Sequence, residues 1–193
     1  MKSVAVYCGS SAGNNEVYAQ QAQEMGRVLA ERGMTLVYGG GRVGLMGAVA
    51  DSVLAHGGKV IGVIPDFLVA KEVEHRGVTE LHIVKSMHER KLLMADLAEG
   101  FVAMPGGFGT LEELFEVLTW GQLGLHKKPI GVLGVAGFYD HLLRALDHMV
   151  DEGLLRRENR QQLLSNPDPT GLIEEMLAYQ PIALEKWLTP RTT

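Results

Sequence analysis

The sequence has a single cysteine, Cys8, so no internal disulfide is available and a reducing compartment fits. It has no charge-free stretch approaching the ~18–20 residues a membrane helix needs. The opening run Met1-Lys2-Ser3-Val4-Ala5-Val6-Tyr7 reads as a first strand and is too short for a signal-peptide core with a cleavage site. A cytoplasmic location and no membrane partner are therefore expected. Positive charge is also scarce. The formal net charge is -5 over 193 residues, which gives no general attraction to nucleic acid, and none is expected as a partner. His88-Glu89 is not part of an H-E-x-x-H zinc site, because residue 92 is Leu. No histidine pairs with the cysteine at ligand spacing, so no metal is expected. No G-x-S-x-G occurs, which argues against a serine hydrolase. Internal repeats, low-complexity segments and linkers are absent as well.

What remains is an ordinary globular composition, 46% hydrophobic and 21% charged. Short apolar runs alternate with longer periodic ones. Val4–Tyr7, Thr35–Tyr38, Val60–Ile64, Leu81–Val84, Phe101–Met104 and Ile130–Leu133 read as buried strands. Between them lie helical patterns, from Asn14 or Asn15 to Gly33, over Leu45–Ala55, Met87–Leu97, Thr110–Leu123 and Tyr139–Val150. Residues 66–79 are polar and irregular, and long loops of this kind are often functional. From about Leu155 the tail reads as helical, with breaks at Pro167-Asp168-Pro169 and Pro181. Strand and helix in alternation imply one doubly wound, Rossmann-like α/β domain over residues 1–193, a parallel sheet with helices on both faces. Glycine-rich loops follow Tyr7, Tyr38 and Met104, and all three belong on the edge where such sheets bind ligands.

Gly39-Gly40-Gly41-Arg42-Val43-Gly44 matches G-x-G-x-x-G. It fits a phosphate turn at a helix start, or a tight turn that needs glycine for its dihedrals. A nicotinamide-dependent oxidoreductase is the weaker reading, since the pattern follows the second strand and Asp66 is poorly placed as its acidic partner. Pro105-Gly106-Gly107-Phe108-Gly109-Thr110-Leu111-Glu112-Glu113 is more specific. Glycines let the backbone approach an anion, Thr110 adds a hydroxyl, and the following helix offers free N–H groups. Thr110-x-x-Glu113 is equally a capping box, and the two readings are compatible. Met87-His88-Glu89-Arg90-Lys91 opens a helix and alone would pass as a solvated basic face.

Four pieces in order, Cys8-Gly9-Ser10-Ser11, Gly39-Gly40-Gly41 with Gly44-Leu45-Met46-Gly47, Met87 to Lys91, and Pro105 to Glu113, together resemble the LONELY GUY family. That family was long labelled "possible lysine decarboxylase". The resemblance continues through Leu118-Thr119-Trp120-Gly121-Gln122-Leu123-Gly124 and reaches about Glu152. It implies a phosphoribohydrolase acting on cytokinin riboside 5′-monophosphates and often on AMP, giving a free purine base and ribose 5-phosphate. It places catalytic roles on Arg90 and Glu113. It places substrate contacts on Lys91, on Gly107, Phe108, Gly109 and Thr110, and on Thr119. A further acidic contact falls on Glu72, with Glu74 two residues away. Gly9, Ser10, Gly40, Met87 and Gly106 are the remaining candidate substrate contacts. No lysine stands in a pyridoxal phosphate setting, and no cofactor is expected.

The chemistry suits these residues, because N-glycosidic cleavage builds positive charge on the ribose and a carboxylate beside it stabilises that charge or activates water. A non-catalytic nucleotide or molybdenum-cofactor carrier on the same fold is the alternative, but a carrier needs the cradle and not the pair Arg90 and Glu113. Leu93, Met94, Leu97, Leu114, Leu118, Trp120 and Leu123 on the helices at 87–98 and 110–123 exceed what one sheet face hides, so a homodimer through these helices is expected.

Overall fold

The computed structural model describes residues 1–69 and 74–182. Seven strands form one sheet: β1 (Ser3–Tyr7), β2 (Thr35–Tyr38), β3 (Val60–Pro65), β4 (Glu80–Val84), β5 (Phe101–Ala103), β6 (Ile130–Leu133) and β7 (Leu163–Asn166). Their order is β4-β3-β2-β1-β5-β6-β7, and every pairing is parallel. The helices are α1 (Glu16–Glu31), α2 (Gly44–Ala55), α3 (Asp66–Val69), α4 (Met87–Leu97), α5 (Phe108–Gln122), α6 (Asp140–Asp151), α7 (Arg157–Arg160) and α8 (Pro169–Ala178). A 3₁₀ turn covers Val135–Gly137.

Alternation along each strand divides the core in two. On β1, Val4 and Val6 face a cluster with Met25, Leu29, Val49 and Val53 of α1 and α2, and with Leu172 and Ile173 of α8. Ala5 and Tyr7 face the other way, toward Met94, Leu114, Val117 and Leu146 of α4, α5 and α6. Side-chain caps set three helix starts. Asn15 accepts from Val17 N at 3.1 Å, Ser86 from Glu89 N at 3.1 Å, and Asp168 from Gly171 N at 2.7 Å, with Pro169 opening α8.

Two local expectations are corrected. The tail is not wholly helical, because β7 extends the sheet beyond β6 through the register Ile130↔Leu163 to Leu133↔Asn166. The strand is only four residues long and sits on an edge, so it shows no period of its own. The segment after β3 is not irregular throughout, since α3 opens it.

β1 and β5 pair directly, although 93 residues separate their ends, so the chain reverses its winding between them. Ligands in open parallel sheets bind at this reversal, outside the strands' carboxyl ends. The loops after β1 and β5 flank it. Tyr139, almost fully buried, donates its hydroxyl to Met104 O at 2.6 Å and fixes the start of the second loop.

At the far end of α5, His126 joins helix to sheet. Lys128 N–H donates to its Nδ1 at 3.1 Å, so the proton is on Nε2, which donates to Val117 O at 2.8 Å. Burial lowers the His126 pKa, against the pull of the Val117 bond, and the neighbouring Lys128 charge lowers it further. The unfolded chain, titrating near pH ~6.5, therefore takes its proton before the folded one. The contribution to stability is complete above that pH and is lost as pH falls through the lower folded value. Denaturant titrations at pH 7.5 and 5.0 are expected to show His126→Gln losing less stability on acidification than the parent chain. Equal losses would remove His126 from the acid limb.

Candidate active site

A cavity of about 340 Å³ opens at the carboxyl ends of β1, β2 and β5. Gly9, Ser10, Met87, Arg90, Gly107, Phe108, Gly109, Thr110 and Glu113, all singled out from sequence, line it together. Cys8, Met46, Leu68 and Glu112 complete the wall. Cys8 and Met46 stood within the motifs that carry the resemblance. Leu68 comes from α3, at the start of the segment 66–79 that the sequence marked as a long, functional type of loop without singling out this residue. Gly106 lines an adjacent cavity of about 310 Å³, which shares Gly9, Ser10 and Gly107 with the first.

One wall is the start of α5. The helix begins at Phe108, its N-cap is Gly107, and no side chain caps it. Thr110-x-x-Glu113 is therefore not a capping box, and that reading is withdrawn. Leu111 N already bonds Gly107 O at 3.1 Å, whereas the N–H groups of Phe108, Gly109 and Thr110 precede the helical ladder and point out of its end. Here they meet the cavity, beside the positive end of the helix dipole.

The glycines of this loop divide by what a side chain would meet. A Cβ on Gly106 would lie 2.1 Å from Thr110 Oγ1, so the fold itself demands glycine there. A Cβ on Gly107 or Gly109 would meet nothing within 4 Å, and neither residue has a positive φ. Protein packing does not explain these two glycines.

The opposite wall is α4. Arg90 is 6% exposed, and its guanidinium lies on Gly39, where a Cβ would sit 1.9 Å from Nη2. Nη1 contacts Met87 Sδ at 3.8 Å, and among the described residues Nε has no hydrogen-bond partner and no carboxylate forms an ion pair with Arg90. A buried cation so poorly partnered is costly unless an anion or a polar ligand joins it. Gly39 is thus accounted for by Arg90. Gly44 combines a φ of 62° with a Cβ position 2.3 Å from Ser10 C. The first and last glycines of the G-x-G-x-x-G segment are thus explained by packing of the protein against itself.

Glu113 is half-buried on α5, across the cavity from α4. Its charge reaches the strands beneath. Burial, and then Glu113, Glu116 and Glu112, raise the Tyr7 phenol well above its ordinary value, with Arg90 acting the other way. Burial followed by Glu113 also pushes the Cys8 thiol far up. Cys8 is thus a buried free cysteine favoured in its thiol form.

Three expected contacts lie elsewhere. Lys91 lines neither cavity and pairs with Glu112 and Glu116. Gly40 has a φ of 78°, packs against Ile64, and accepts from His75 N at 3.1 Å. Thr119 donates to Phe115 O at 2.7 Å and lines a shallow groove of about 90 Å³ with Leu118 and Gln122. Glu72 lies outside the described residues. Glu74 pairs with Arg76 at 2.7 Å and does not line the cavity. No group of acidic, histidine and cysteine side chains arranged for a metal occurs among the described residues.

Fold and site define a Rossmann-like α/β protein with an uncapped helix N-terminus at its strand reversal, and a buried arginine and a carboxylate facing the same cavity. The chain matches the family described as "Possible lysine decarboxylase" over residues 46–176 and belongs to it, in its LONELY GUY branch. Cytokinin riboside 5′-monophosphate phosphoribohydrolase LOG of Oryza sativa subsp. japonica is 49% identical over 178 residues, 92% of this chain and 74% of the relative. The bacterial protein of that activity from Rhodococcoides fascians is 48% identical over 173 residues, 89% and 87% of the two chains. Among solved structures, a structural-genomics target designated TM1055 superposes with a TM-score of 0.72 at 24% identity, covering 93% of this chain and 100% of its own. A molybdenum cofactor carrier protein from Chlamydomonas reinhardtii gives 0.69 at 22%, covering 92% and 98%. These two share the fold.

Gly109 offers a direct check on the cradle. Gly109→Ala adds a methyl to open space at a helical position, where Ala is favoured over Gly by up to about 1 kcal/mol. The melting temperature is expected to hold or rise by roughly 2–4 °C. Affinity for a 5′-phosphorylated ligand, read by calorimetry, is expected to fall at least tenfold. Unchanged affinity would show that nothing approaches this backbone.

Proposed function

We propose that this protein hydrolyses the N-glycosidic bond of purine nucleoside 5′-monophosphates, cytokinin riboside 5′-monophosphate and AMP among them, to the free base and ribose 5-phosphate. The observation that carries the proposal is the buried Arg90, set across one cavity from Glu113 and behind the open glycines of the α5 start. The activity named for relatives at 45–49% identity supports it.

The 5′-phosphate binds the N–H groups of Phe108, Gly109 and Thr110 and the Thr110 hydroxyl. Its charge is met by the helix dipole, and this contact, remote from the reacting bond, orients the ribose. Glu113, one turn along α5, faces the anomeric carbon. As the bond from C1′ to the base nitrogen breaks, the electron pair leaves with the base and positive charge spreads over the ribose ring. The Glu113 carboxylate stabilises that charge and takes a proton from the attacking water, whose oxygen bonds to C1′. The departing base takes a proton from solvent and leaves neutral, and Glu113 returns the proton it took from water to solvent, so that water is the only co-reactant consumed. Arg90, between Met87 and Gly39, meets the negative charge that the base gains on the way out. Glu72 and Thr119 remain the further substrate contacts that the family resemblance implies.

The reading extends to assembly and location. Met94 and Leu114 are consumed by the protomer's own core, but Leu92, Phe115, Leu123 and Leu125 stay exposed on or beside α4 and α5. They support a homodimer built through these helices. A cytoplasmic location agrees with the nucleotide substrate. The carrier reading needs the cradle alone and leaves Arg90 and Glu113 without a task.

Incubation with AMP, isopentenyladenosine monophosphate, adenosine and ATP, followed by chromatography of free base, tests the substrate class. Both monophosphates are expected to react, with adenosine and ATP nearly inert. Equal turnover of adenosine and AMP would mean that the phosphate contributes nothing. Since Glu113 caps no helix, Glu113→Gln isolates its charge. Turnover is expected to fall roughly a thousandfold, about 4 kcal/mol of transition-state stabilisation, with AMP affinity largely kept. Wild-type turnover in that variant would end the catalytic role. Light scattering is expected to give twice the 21.0 kDa chain mass at micromolar concentration, and a monomer would refute the dimer.

A further inference from the structure

The family resemblance sets Lys91 at the substrate, but the geometry assigns it another task. We infer that Lys91 is a positioning residue, a strut that fixes α5 against α4 and thereby fixes Glu113 relative to Arg90. This rests on the hydrolase reading above.

Consecutive residues of a helix point about 100° apart. Arg90 turns to Gly39 and the cavity, while its neighbour Lys91 turns to α5. The Lys91 ammonium lies 2.5 Å from Glu112 Oε1 and 3.0 Å from Glu116 Oε1, and its side chain is 9% exposed. Glu112 and Glu116 are one turn apart on a single face of α5. One ammonium therefore spans a full turn of that helix. Glu113 is the next position round, on the cavity side.

Two of the three ammonium donors are committed to these carboxylates. Burial opposes the charge on Lys91, and the bonds to Glu112 and Glu116 outweigh it, so the pKa is raised overall. The ammonium stays charged at any pH where the protein works. Helix α5 carries both the cradle, at its first turn, and Glu113, at its second. A small rotation of α5 about its axis would leave the N–H groups at the tip near the phosphate and swing the Glu113 carboxylate off the anomeric carbon. Loss of the strut should therefore strike turnover before binding.

The test compares Lys91→Met, Lys91→Arg, the double variant Glu112→Gln/Glu116→Gln, and the triple variant with Lys91→Met. Turnover of AMP gives kcat and KM, and calorimetry with ribose 5-phosphate gives affinity for the cradle without reaction. Lys91→Met is expected to lower kcat at least tenfold and to leave ribose 5-phosphate affinity within threefold. The double glutamine variant is expected to reproduce that pattern although it keeps the lysine. The triple variant is expected to be no worse than either, because all three substitutions cut one interaction. Lys91→Arg is expected to recover most of kcat, since a guanidinium can also bridge two carboxylates.

A direct substrate contact would give the opposite. Lys91→Met would weaken ribose 5-phosphate at least tenfold, the double glutamine variant would not copy it, and the effects would add. That result overturns the strut and leaves the hydrolase intact. Should Lys91→Met fail to fold, the double variant and Lys91→Arg decide the matter alone, and near-parental kcat in the double variant overturns the strut. A parental chain that releases no base from any nucleoside monophosphate removes the activity first, and the strut falls with it.

Discussion

Gly9 ties three loops together with its own backbone. Its N–H donates to Pro105 O at 3.0 Å, and its carbonyl accepts from Leu45 N at 3.0 Å. The first bond joins the loop after β1 to the loop after β5. The second joins it to the first turn of α2. A Cβ on Gly9 would come within 3.2 Å of Ser11 O and 3.4 Å of Gly106 Cα, so the approach has little room to spare. The walls of the cavity hang from this junction. Arg90 rests on Gly39 at the end of β2, and Thr110 closes on Gly106 in the loop after β5. These contacts hold register only because the three loops are themselves held.

An acidic chain can still build a site for an anion, since the positive potential there is local. Backbone N–H groups and a helix end supply most of it, and they carry no titratable charge. Arg90 adds one buried cation. Around it the side-chain charges are arranged by partner. Glu112 and Glu116 are matched by Lys91, and Glu74 by Arg76. His75 donates to Asp51 at 2.8 Å and holds the end of the loop after α3 against α2. Lys91 thus offsets one of the two carboxylate charges it bridges, and the positive end of α5 and Arg90 supply the rest of the balance facing the cavity.

Much of the fold was legible because buried parallel strands are continuous apolar runs. Val4–Tyr7 and Phe101–Ala103 need no periodicity to be recognised. β7 escaped for the converse reason. Leu163-Leu164-Ser165-Asn166 is half exposed at an edge, and its pairing with β6 is a property of the sheet. At the site, nine residues that the sequence had singled out line one cavity, because they sit in short glycine-rich and helix-opening motifs that are visible locally. The sequence left a capping box open at Thr110 and Glu113 beside the ligand reading, since the pattern fits both and only the backbone reveals that the helix begins two residues earlier, at Phe108. It also had no means of separating Gly106, which packing requires, from Gly107 and Gly109, which packing does not. The partners of Lys91 lie 21 and 25 residues along the chain, where spacing carries no signal.

The pairing of β1 with β5 also bears on how the chain acquires its activity. β1 completes its bonds on one side with β2, but its other edge waits until nearly a hundred further residues have been made. Contacts of such long sequence separation form late, after loop closure has been overcome. Until then β1 presents an apolar edge, an invitation to pair with another nascent chain. When β5 docks, it seals that edge and brings the Gly106–Thr110 loop to Gly9 in the same event. The pairing that completes the sheet is therefore also the one that assembles the walls of the cavity.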